Sequence, residues 1–156
     1  MAKVHHIPHG YHSVTPYLHI KGAADAIEFY KKALGATELL RMAGPDGKIG
    51  HAEIQIGDSP IMMADEHPDF QSLGPQTLNG TSVGIMIYVE DVDSVFEKAL
   101  AAGAKMLRPV EDKFYGDRSG TLQDPFGHVW HVSTHIEDVS PEEMAKRAEA
   151  FMKQQQ

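Results

Sequence analysis

The chain has 156 residues, 42% apolar and 23% charged, the composition of an ordinary globular protein, and it has no cysteine, which excludes disulfide scaffolds, thiol catalysis and cysteine-based zinc sites. Its net charge of −8, with an isoelectric point near 5.6, argues against nucleic acid and anionic membrane surfaces as partners. No apolar run approaches the length of a membrane span and no apolar signal region follows the start, so a cytoplasmic protein is expected.

Residues 1–13 are an irregular lead with His5, His6, His9 and His12. Such a stretch reads as a metal tract or as a mobile polar arm, and a terminal arm seldom supplies the fixed geometry a metal needs. Thr15 to Ile20 is predicted as a short strand, with Leu18 and Ile20 on one face and Thr15, Tyr17 and His19 on the other. Pro16 lacks an N–H and marks either its start or a sheet edge. Ala23 to Leu34 has Ala26, Ile27, Tyr30, Ala33 and Leu34 at helical spacing, with Gly35 as the stop. Strands follow over 36–42, 50–56 and 60–64. The middle one alternates strictly, with Ala52, Ile54 and Ile56 on one side and His51, Glu53 and Gln55 on the other. Residues 13–65 therefore read βαβββ.

Residues 66–81, with Pro68, Gly74, Pro75 and Gly80, read as a linker. The order then recurs over 82–135. Val83 to Val89 is a strand with Gly84, Met86 and Tyr88 on one face, Val92 to Ala102 a helix ended by Gly103, and Ala104 to Pro109 the next strand. The hairpin at 116–135 turns at Asp124-Pro125-Phe126-Gly127, where Pro presets φ and Gly tolerates a positive one. In its second strand His131 shares a side with Val129 and Ser133, while Trp130 falls with His128 and Val132 and is expected in the core. Gly35 and Gly103 are 68 positions apart, and Ile20 and Val89 are 69 apart, which suggests an internal duplication. Ser140-Pro141-Glu142-Glu143 opens a last helix over 140–153, with Met144, Ala148 and Phe151 as its apolar face.

One sheet face in each half needs the helix. The other carries His19, His51, Glu53, Tyr88 and His131 and cannot be a hydrophobic core. The fold class expected is α+β: two βαβββ modules with mixed sheets enclosing a cavity, plus a C-terminal helix, in a single domain over 1–156.

The paired βαβββ halves, the stretch Ala26 to Gly35, and Asp124-Pro125-Phe126-Gly127-His128 resemble the vicinal oxygen chelate superfamily of glyoxalases, bleomycin resistance proteins and extradiol dioxygenases. Tyr115-Gly116-Asp117-Arg118 and Thr134 to Asp138 resemble its PhnB-like branch. The resemblance implies a divalent metal held by His and Glu at four positions, which here are Thr15, Gly84, His131 and either Met62 or Met63. Only His131 is a ligand of the usual kind, so no metal is expected at that position. A displaced site drawing on His19, His51, Glu53 and His131 stays open beside their reading as polar cavity wall. His51 and Glu53 can also serve as acid and base without metal.

The cavity set expected to bind a ligand is Tyr17, His19, His51, Glu53, Met86, Tyr88, Arg118 and His131. Arg118 has two readings, a clamp for a carboxylate or phosphate and a surface ion pair. The functional expectation is a small-molecule binding protein. The alternative is a metal-dependent enzyme, a glyoxalase-like lyase, an isomerase or a dioxygenase, with a displaced His/Glu ligand set. The resemblance also implies a homodimer.

Overall fold

The computed structural model describes residues 3–156, which divide into two compact units: one of the residues up to 82 with 125–127, and one of residues 83–124 with 128–156. Among the described residues no helix is long and apolar enough to cross a membrane.

The first unit runs β1 (Tyr17–Ile20), α1 (Ala23–Leu34), β2 (Thr37–Ala43), β3 (Ile49–Ile56) and β4 (Ser59–Asp65). Its sheet has the order β1-β4-β3-β2, with β1 parallel to β4 and the other pairs antiparallel. Strand β1 lies at the edge that Pro16 signalled. The alternation holds: Leu18, Ile20, Ala52, Ile54 and Ile56 are buried with Ala26, Ile27, Tyr30, Ala33 and Leu34 of α1. Gly22 offers no capping side chain, so Asp65 at the end of β4 accepts from the N–H groups of Gly22 and Ala23, at 3.0 and 3.1 Å. Its second oxygen accepts from Ile49 N–H at 2.6 Å and fixes the start of β3.

The second unit repeats the order with β5 (Gly84–Tyr88), α3 (Val92–Ala101), β6 (Lys105–Asp112), β7 (Asp117–Gln123) and β8 (Val129–His135), in a sheet of order β5-β8-β7-β6. The duplication extends to register. Tyr17 lies opposite Met62 in the first sheet, and Met86 lies opposite His131 in the second, both 69 positions on. Val92, Phe96, Ala99, Leu122, Trp130 and Val132 form the core. Asp124, itself buried, accepts from His128 N–H at 3.0 Å and from the Trp130 indole N–H at 2.9 Å, so the turn residue also anchors the core aromatic.

Two stretches hold more structure than the sequence pattern named. The stretch 66–81, read as a linker, contains a 3-10 turn (Pro68–Phe70) and α2 (Pro75–Leu78). Each opens on a proline, whose fixed φ suits the first helical position, and each is closed by a residue in the left-handed region, Gln71 and Asn79. Strand β6 runs past Pro109 to Asp112, because an edge strand leaves alternate N–H groups without a sheet partner and tolerates proline there. The last helix, α4 (Pro141–Gln154), begins where expected, with the Ser140 hydroxyl accepting from Glu143 N–H. It docks within the second unit, where Phe151 lies 5.1 Å from the Phe114 ring and Arg147 pairs with Glu137.

Candidate functional site

The open face of the first sheet gathers four residues that the alternation placed there. His51 and Glu53 stand two apart on β3, where a period of two puts both on the side away from α1. The Glu53 carboxylate lies 3.0 Å from His51 Nε2, and His51 Nδ1 lies 2.9 Å from the Tyr17 hydroxyl. The Tyr17 ring is 5.3 Å from the His19 ring and 5.6 Å from that of His51. Tyr17 and His19 also line an open groove of about 730 Å³ that continues past Met42 and Lys48 to Glu66 and Phe70.

Tyr11 completes the set, and sequence reasoning missed it. Its hydroxyl donates to the second oxygen of Glu53, so at this point the lead is tied to the sheet rather than a mobile arm. No periodicity connects residue 11 to residue 53; only the tertiary path does. Burial, then the hydrogen bond to Glu53, pushes the Tyr11 phenol up to about 12. The hydrogen bond from His51, then that from Tyr11, holds the Glu53 carboxyl below its ordinary range.

A pH dependence follows. A phenol whose folded value is raised contributes stability that is complete below its ordinary value near 10 and is lost as pH rises towards about 12. Denaturant midpoints measured across that window are expected to fall further for wild type than for Tyr11→Phe. Parallel curves would show that the Tyr11–Glu53 bond does not form in solution.

On the second sheet, His131 and Met86 are paired neighbours. His131 Nδ1 lies 3.0 Å from the Thr121 hydroxyl, and a Cβ at Gly84 would come 2.5 Å from Nε2, so the ring rests on that glycine. Tyr88 donates to the buried carboxylate of Asp117 at 2.9 Å, and this hydrogen bond raises the Tyr88 phenol above its ordinary value. The other Asp117 oxygen holds His135 Nδ1 at 2.7 Å, and Asp138 holds Nε2 at 2.8 Å; hydrogen bonds to both carboxylates raise the imidazole. Thr121 was not singled out from the sequence, and Asp117 and His135 entered only as parts of the branch resemblance and not as site residues, although extending the alternation along β7 and β8 places all three with His131.

Arg118 has the opposite parity. Its guanidinium is held by Asp93 at 2.8 and 2.9 Å and by Asp112 at 3.0 Å, which is the ion-pair reading of this residue. It lies on the α3 side of the sheet and not with His131.

The positions that the resemblance assigns to metal ligands do not fit a divalent ion. Of the two methionines, Met62 faces the same way as Glu53, whereas Met63 is buried on the α1 side of the sheet. A threonine, a glycine and a thioether leave His131 without companions of suitable chemistry. At the displaced set, both nitrogens of His51 and both oxygens of Glu53 are engaged in hydrogen bonds. Among the described residues no three His, Asp or Glu side chains gather as a metal set.

Comparison with known proteins agrees with the architecture. Uncharacterized protein Rv0887c of Mycobacterium tuberculosis (strain ATCC 25618 / H37Rv) is 42% identical over 135 residues, covering 85% of this chain and 79% of that one. The crystal structure of protein PA1353 from Pseudomonas aeruginosa superposes with a TM-score of 0.65 at 25% identity, over 80% of this chain and 98% of that one. The PhnB protein of Bacillus cereus, at 20% identity and a TM-score of 0.58 over 79% and 99% of the two chains, shares the fold. The family model of the Glyoxalase/Bleomycin resistance protein/Dioxygenase superfamily matches residues 10–132, and the chain belongs to that superfamily.

Proposed function

We propose that this protein binds a small organic molecule, part aromatic and part polar, on the open sheet face of the first module. The observation that carries the reading is the hydrogen-bonded set Tyr17, His51 and Glu53, with His19, standing beside a groove of about 730 Å³. A mixed face of this kind is costly to bury without partners and useful in a wet, convergent pocket. Met86, Tyr88 and His131 give the second module a similar mixture of apolar wall and imidazole. The metal-dependent alternative would need His51 and Glu53 to give up their hydrogen bonds to each other, to Tyr17 and to Tyr11.

The test is thermal stabilisation by a broad panel of small aromatic and polar compounds, applied to wild type, Tyr17→Ala and His51→Ala. A compound that binds here raises the wild-type midpoint by mass action, and both variants keep their unliganded fold while losing most of the rise. Equal stabilisation of all three proteins places the ligand elsewhere. No stabilisation of wild type by any compound sinks the reading.

A further inference from the structure

Binding alone leaves the order of the groups on the first sheet without a task. An ionised carboxylate only accepts hydrogen bonds, and Glu53 is already accepting from Tyr11. The His51 nitrogen facing Glu53, Nε2, must therefore carry the proton. In the uncharged imidazole this leaves a lone pair on Nδ1, and the Tyr17 hydroxyl, 2.9 Å away, donates to it. A phenol that hands its proton to an imidazole, which is oriented in turn by a carboxylate, has the order of a nucleophile, its base and the group that positions the base.

We propose that Tyr17 is a nucleophile for small activated acyl compounds, esters or thioesters, with His51 as its general base and Glu53 and Tyr11 as positioning residues. The proposal rests on the open face of the first module being where the ligand lies. Tyr17 Oη attacks the acyl carbon while its proton passes to His51 Nδ1, and Glu53 stabilises the imidazolium. The bond from the acyl carbon to the alcohol or thiol breaks, and the departing group takes the proton from Nδ1. Water then attacks the acyl-tyrosine ester, giving a proton to Nδ1. The carboxylic acid departs, and Tyr17 recovers its proton from the imidazolium. The sum is hydrolysis of the ester or thioester, with no oxidant or metal in the balance.

The chain carries its own control. Tyr17 is 43% exposed and Tyr88 is 62% exposed, so a reagent reaches both, but the Tyr88 hydroxyl donates to the Asp117 carboxylate instead of to an imidazole. A carboxylate is too weak a base to take the phenolic proton. On exposure alone Tyr88 should react faster; on the relay, Tyr17 should.

The full chain is treated with p-nitrophenyl acetate in slight molar excess near neutral pH, and acetylation of each tyrosine is followed in time by peptide mass spectrometry. General-base assistance is worth about 10²–10⁴ in rate, so Tyr17 is expected to acetylate at least about tenfold faster than Tyr88. His51→Gln is expected to remove that advantage and Glu53→Gln to reduce it, with the Tyr88 rate and the circular dichroism spectrum unchanged as evidence of an intact fold. Should His51→Gln misfold, Glu53→Gln decides the matter in the same way. A wild-type advantage below tenfold, or one that survives the substitution, overturns the proposal. The reagent needs no recognition by the groove. A silent compound panel would therefore sink the binding reading without touching this result, and unselective acetylation would sink the nucleophile while leaving a ligand found by the panel in place.

Discussion

Trp130→Ala is expected to cost about 4 kcal/mol of stability. The indole is fully buried in the second unit, among Val92, Phe96, Leu122 and Val132. Truncation removes its apolar contacts, opens a cavity that a sheet-and-helix core closes only in part, and strips Asp124 of a donor. Two further variants separate these contributions. Trp130→Phe keeps most of the volume but loses the N–H together with part of the ring, so it should cost about 1–3 kcal/mol, from an under-satisfied buried carboxylate and a smaller cavity than alanine leaves. Asp124→Asn keeps an acceptor for His128 N–H but can turn an amide N–H towards the indole donor, and its cost should fall in the same range, about 1–3 kcal/mol. Urea unfolding followed by circular dichroism measures all three. If Trp130→Phe is as stable as wild type, Asp124 organises the hairpin turn without supporting the core.

The layout of both modules was legible because burial follows period. The alternation in β3 separated Ala52, Ile54 and Ile56 from His51 and Glu53, and the structure keeps that division. The spacing in α1 named five residues that are all buried, and the offset between halves proved to be a register as well as a repeat. Parity assigns a face but says nothing about distance along it. It therefore grouped Tyr17, His51 and Glu53 without saying that they bond in that order, and it left Arg118 with two readings that only its contacts with Asp93 and Asp112 decide. Tyr11 was beyond reach, since its partner lies 42 positions away and no local pattern records the path of a loop. The helical turns at Pro68 and Pro75 were signalled by their prolines, but proline marks loop breaks and helix starts alike, and the surrounding glycines favoured the loop.

Gly116→Ala is expected to lower stability by about 3 kcal/mol, through backbone conformation and contact together. Gly116 has φ +96°, where an L side chain is strained, and a Cβ there would overlap the carbonyl oxygen of Glu137 and come 3.0 Å from Val139 Cγ2. The clash cannot be relieved by rotating a side chain, because the obstacle is backbone. That backbone is also held in place by Gly116 itself, whose carbonyl accepts from Ile136 N–H at 2.9 Å and Glu137 N–H at 3.0 Å. Displacing residues 136–137 moves the Glu137 carboxylate, which grips Arg147 of α4 through two bonds of 2.7 and 2.8 Å, so the helix loses its anchor with the connector. Gly47→Ala is the control: its φ is +79°, but nothing lies within 4 Å of the added carbon, so it should show the conformational cost alone, about 1–2 kcal/mol. Hydrogen exchange supplies the second readout, with amides of 141–154 expected to lose protection in Gly116→Ala and to keep it in Gly47→Ala. Equal stability of the two variants, with α4 equally protected in both, would mean that the connector yields freely and that Gly116 is required only for its backbone conformation.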